Sequence, residues 1–201
     1  MYSRMITAGV LATSVLAGPA GASILGGVSD NDGGNYAIVT DDTLDNGDLA
    51  YTDSTTQVWA NVPSLVQGAQ YVQTAQGDNS NSDLEVFLNI TGAGSLFVFH
   101  SASVTDPGWL SSGFTDTGET LDLSGSPESG AFGIYERTVT GGETVTLFAN
   151  DPGTTNSGEM YGIAALAAGG GGTQVIPVPA SAFLLGTALL GIGAARRFGR
   201  G

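Results

Sequence analysis

The chain contains no cysteine and no lysine. Without cysteine there is no disulfide framework, no thiol nucleophile and no thiolate zinc site, so a folded domain of this sequence depends on its own core. Positive charge is confined to five arginines. Arg4 stands at the start, Arg196, Arg197 and Arg200 stand at the end, and only Arg137 belongs to the body. All 19 acidic residues fall between Asp30 and Glu159. Such a body repels nucleic acid and anionic lipid, excludes both as partners, stays soluble in salt and attracts divalent cations. Charged residues make up only 12% and aromatics 8%, too few helix-favouring side chains for a helical bundle.

What is present instead is glycine, at 32 of 201 residues, with much Thr, Ser, Asn and Val. That composition favours short strands joined by turns, in one domain with accessory segments. Strand patterns fall at Tyr36–Val39, Gln57–Ala60, Gln70–Thr74, Leu84–Ile90, Ser95–His100, Thr120–Leu123, Phe132–Arg137, Glu143–Phe148 and Met160–Leu166. Positions 84, 86, 88 and 90 are all apolar in an alternating run, and Val145 and Leu147 repeat that pattern. Gly141-Gly142 supplies a hairpin turn between two of these runs. Eight or nine strands at roughly ten-residue spacing predict an all-β, antiparallel β-sandwich over residues 23–167. The Gly- and Asp-rich stretch before Tyr36 reads as loop, and no internal repeat is present.

The two ends read as addresses. Arg4 precedes an apolar stretch from Met5 to Leu16, and Ala20-Gly21-Ala22 fits signal-peptidase cleavage after Ala22, so residues 1–22 are expected to form a removable signal helix. A Gly-rich linker over residues 168–174 leads to Val175-Ile176-Pro177-Val178-Pro179-Ala180, an apolar run to Ala195, and then Arg196, Arg197 and Arg200. The run from Ala180 would span about 24 Å as a helix, slightly short of a hydrocarbon core of about 30 Å, and residues from Val175 extend it into a single transmembrane helix. The arginines would sit on the cytoplasmic side and leave the body outside.

The order of box, apolar helix and arginines in residues 175–201 resembles the PEP-CTERM class of bacterial sorting signals, in its variant with a Val-Pro-Leu-Pro-Ala box. Val178 stands where Leu is usual, and Phe198 and Gly199 interrupt the basic end. The resemblance implies recognition by an exosortase-like membrane peptidase, cleavage near the Pro box, and association with extracellular polysaccharide or biofilm at the cell surface or in the matrix. The middle of the chain also resembles a module of secreted and similarly tagged proteins. Its features match Tyr51-Thr52-Asp53, Val62-Pro63-Ser64-Leu65, Gly68 before Tyr71-Val72-Gln73-Thr74, Phe97-Val98-Phe99-His100, Pro107-Gly108-Trp109-Leu110 and Phe114-Thr115-Asp116-Thr117-Gly118. A lysine usual after the Gln-Thr step is absent at Gly77-Asp78-Asn79, and the module brings no activity with it.

Candidate chemistry is sparse. Asp78, Asn79, Asn81 and Asp83 alternate oxygen side chains as calcium loops do, which suggests weak structural Ca²⁺ binding, although the EF-hand pattern fails at Asp83 and Asn89. Asp30-Asn31-Asp32-Gly33 and the acidic run Asp41–Asp48 are of the same kind. His100 is the only histidine; as a base or ligand it has no second histidine or cysteine beside it, and at a strand end it reads as structural. No G-x-S-x-G elbow occurs. Trp59, Trp109 and Tyr135 offer ring faces for stacking on sugars, or equally caps to the core. Taken together, the sequence describes an exported, sorted, non-catalytic β-domain without a cofactor. The alternatives are a secreted polysaccharide hydrolase with a carboxylate pair and a plain membrane-anchored acidic ectodomain.

Overall fold

A computed structural model of the chain describes residues 23–125, 130–150 and 159–169. The expected signal segment 1–22, most of the expected linker and the expected sorting tail, including the Pro box and the terminal arginines, lie outside the described residues. No helix among the described residues is long and apolar enough to cross a membrane.

Ten strands occur among the described residues: β1 (Leu25–Asp30), β2 (Ala37–Ile38), β3 (Val58–Ala60), β4 (Gln70–Gln73), β5 (Glu85–Ile90), β6 (Gly94–Ser101), β7 (Thr115–Ser124), β8 (Ala131–Val139), β9 (Thr144–Phe148) and β10 (Gly162–Ala167). They form two antiparallel sheets, one of three strands in the order β1-β5-β9 and one of seven in the order β2-β4-β10-β6-β8-β7-β3. Both sheets feed one buried apolar cluster, consistent with the expected sandwich. The alternation read from sequence holds. Val86, Leu88 and Ile90 of β5 and Val145 and Leu147 of β9 point into that core, and the Gly141-Gly142 turn joins β8 to β9 with Gly142 at φ 89°.

The expected count of eight or nine strands falls short of the observed ten chiefly because β1 was read as loop. Its Gly26-Gly27 pair has no apolar side chain to signal a strand, yet a Cβ at Gly26 would collide with the Thr91 side chain, so the close approach itself requires glycine. β7 is also longer than its apolar part, because Thr115–Thr120 is a mostly exposed polar extension with a register shift between Asp116 and Thr120. The Pro-Gly-Trp-Leu turn is a short helix, α1 (Gly108–Gly113), which starts after Pro107 and is pinned by the buried Leu110.

β6 lies inside the large sheet and buries consecutive residues from Leu96 to Ser101, so the sheet is covered on both faces. On one side Trp59 packs edge-to-face on Phe99 and Phe132, with centroids 5.4 and 5.3 Å apart. Gly162 makes this possible, since a Cβ there would stand 2.5 Å from Trp59 Cζ2 and 2.7 Å from Phe99 Cδ2. The edges of the large sheet, β2 and β3, have only two and three residues, which limits the backbone open to unwanted pairing. The two sheets are also linked directly, for the Gln70 side chain of β4 accepts from Leu25 N of β1 at 2.9 Å and donates to Leu25 O at 3.3 Å.

Candidate functional site

Pairing of β1 with β5 sets Asp30 opposite Val86 and so brings the loop after β1 against the turn before β5. Two acidic loops that are separate in sequence thereby become one network. Asn31 Nδ2 donates to Asp83 O at 2.7 Å, Glu85 N donates to Asn31 Oδ1 at 3.0 Å, and Asn31 N donates to Glu85 O at 3.1 Å. Asn81 Nδ2 donates to Asp32 Oδ2 at 2.8 Å, and Tyr36 Oη donates to Asp78 Oδ2 at 2.9 Å. Burial raises the Asp78 carboxyl above its usual range, the Tyr36 bond opposes that rise, and the nearby Asp30, Asp32 and Asp53 add to it.

The calcium-loop candidates Asp78, Asn79, Asn81 and Asp83 are divided between a short turn and the segment that follows it. Residues Gln76–Ser80 form a 3-10 turn, in which alternate side chains point away from one another instead of sharing a face. Asn79 lies on that turn, and Asn81 is committed to Asp32 through its amide and to Asp83 N through its carbonyl. Among the described residues no three acidic or histidine side chains gather as a cation site.

His100 is buried near the end of β6, with Nδ1 3.2 Å from Asp106 Oδ1 in a contact short of a well-aligned hydrogen bond. Tyr135 of β8 donates from its hydroxyl to Asp106 Oδ2 at 2.7 Å. Burial pulls the imidazole below its ordinary value, while Asp106 and Asn150 pull it upward and do not prevail. The arrangement ties the loop after β6 to the sheet and gives the imidazole no access to solvent, in keeping with the structural reading.

The three aromatic candidates do not form one platform. Trp59 is 1% exposed and belongs to the core, so its faces are closed to any sugar, and Tyr135 has its hydroxyl engaged by Asp106. Trp109 is different. It stands half-buried on α1, packs edge-to-face on Tyr161 and Phe114, and donates from Nε1 to Ala149 O at 2.9 Å. That bond brings it to the end of β9, where Phe148 is exposed at 41%. Trp109 and Phe148 line an open cleft of ≈ 570 Å³ with Leu84, Asp83 and Glu85, inside the range of about 300–1,000 Å³ typical of ligand sites.

The cleft is chemically distinct from the rest of the acidic surface. Every other carboxylate among the described residues accepts a hydrogen bond or faces a cation, except Glu119 on the exposed half of β7. Asp83 and Glu85 make no such contact through their carboxylates, although Asn31 fixes the backbone on which both stand. Sequence reasoning found Trp109 and Asp83 but missed Phe148 and Glu85. The available signal was Phe148 itself, a large apolar residue next to inward-facing Leu147 and therefore pointing outward.

No family model matches the chain, and no curated protein matches it. Among solved structures it is similar to a β-glucuronidase from glycoside hydrolase family 2, with a TM-score of 0.61 and 21% identity over 70% of this chain. The match takes in 14% of that protein, so the chain spans only a small part of its length. At this identity the likeness concerns the fold.

Proposed function

We propose that the chain is an exported, exosortase-sorted protein whose β-sandwich is displayed at the cell surface or in the extracellular matrix, where it acts by binding and not by catalysis. The observation that carries this reading is the tail, with Pro177, Pro179 and Ala180 followed by an apolar run and by Arg196, Arg197 and Arg200. The body supports it in two ways. Its single histidine is committed to the interior, and its acids are mostly spent on its own loops, whereas one open cleft combines aromatic and carboxylate groups. Extracellular polysaccharide is the partner class that the sorting resemblance favours. A secreted hydrolase is the second reading, favoured by the uncommitted carboxylates of Asp83 and Glu85, both of which line the cleft.

Intact mass and cell fraction, measured in the host with and without the exosortase, test the sorting reading. Cleavage near Pro177 to Ala180 that disappears in the mutant is the expected result. A full-length chain held in the membrane of both strains would leave a plain anchored ectodomain. Reducing-end release that Glu85→Gln abolishes would establish the hydrolase instead.

A further inference from the structure

We infer that the cleft between Trp109 and Phe148 binds a glycan bearing free amines, a hexosamine chain, with the pyranose faces on the two rings and the ammonium groups at Asp83 and Glu85. The inference rests on the binding-module reading above but not on the processing of the tail.

Three observations converge on this ligand. First, Phe148 is the one large apolar side chain among the described residues that stands strongly exposed, and it shares its cleft with the half-buried Trp109. Rings exposed in this way offer flat apolar surface to the C–H face of a pyranose. Second, Asp83 and Glu85 line the same cleft and are uncommitted, whereas nearly all other carboxylates among the described residues have a partner. Two like charges so close in sequence, with no arginine among the described residues that line the cleft, are complemented by a cationic ligand and disfavour a uronate or a sulfated chain. Third, the cleft is built on fixed backbone. Asn31 clamps residues 83–85, the Trp109 Nε1–Ala149 O bond fixes the indole, and Leu84 between the two acids is anchored in the core at 1% exposed. A cation near Trp109 also gains from the face of the indole, which adds to the attraction of the carboxylates.

The fluorescence of Trp109 supplies the readout, because Trp59 lies sealed in the core and a ligand in the cleft touches only Trp109. The full-length chain in mild detergent is titrated with a hexameric glucosamine oligomer, with its fully N-acetylated counterpart, with oligogalacturonate and with hexalysine. The glucosamine oligomer is expected to shift the emission and to bind at least about tenfold more tightly than the acetylated or uronate chains. Phe148→Ala and the double variant Asp83→Asn with Glu85→Gln each weaken it by about tenfold, and neither disturbs a buried contact. These two variants carry the test, since Trp109→Ala removes packing on Tyr161 and Phe114. Raising salt to about 1 M reduces binding only in part, because ring contacts survive screening. Absence of binding to the glucosamine oligomer overturns the inference. So does equal affinity for the acetylated chain, equal affinity for hexalysine, or binding that Phe148→Ala leaves unchanged.

Discussion

The Gln70 side chain closes on the backbone of Leu25, accepting from its N–H and donating to its carbonyl. A side-chain amide here takes the place of a neighbouring strand at the edge of β1, and it does so from the other sheet. Gln70→Ala leaves both backbone groups without this partner in a half-buried setting. It is expected to cost about 1–3 kcal/mol, read as a lower midpoint in denaturant with an unchanged slope. An unchanged midpoint would mean that solvent replaces the clasp without loss.

His100 gives the fold a defined acid sensitivity. Burial holds its folded-state value below 6.5, so the unfolded chain binds the proton more tightly. The stability contributed by the neutral imidazole is complete above about pH 6.5 and is lost as pH falls below that value toward the lowered folded one. His100→Asn removes this dependence. Thermal melts of both proteins between pH 8 and 5 are expected to show a steeper decline for the parent chain. Parallel curves would contradict the assignment.

Asp78 lies where several carboxylates meet, and its proton affinity is raised. The folded state therefore gains relative stability as pH falls through the raised value, and the charged form is a burden at neutral pH. Asp78→Asn keeps an acceptor for the Tyr36 hydroxyl and removes the repulsion from Asp30, Asp32 and Asp53. The site is partly solvated, so the expected gain is under about 1 kcal/mol and shrinks with added salt. A lower melting temperature would show that the carboxylate serves the loop in another way.

Two strands of the small sheet were legible in the sequence because they obey a simple rule. In β5 and β9 every second residue is apolar, and those residues are the buried ones. β1 was hidden because its packing depends on the absence of side chains at Gly26, which leaves no hydrophobic mark. The meeting of the Asp30 and Asp78 loops was likewise illegible, since it follows from the register of β1 on β5 and not from either loop. Trp59 and Trp109 look alike in a one-dimensional pattern. What separates them is that β3 turns one into the core onto Phe99 and Phe132, whereas α1 sets the other beside the end of β9.

The position of β10 has a mechanical consequence. It is the last described strand in sequence, yet it lies inside the large sheet, hydrogen-bonded to β4 on one side and β6 on the other. Tyr161, the residue before it, packs against Trp109 of the cleft, while Ala167 at its far end leads toward the linker. If the chain is tethered beyond Ala167, a pull that enters through Tyr161 is carried along β10. Such a force loads both flanking ladders in shear, with many bonds resisting together, whereas a strand at the sheet edge would peel away one bond at a time.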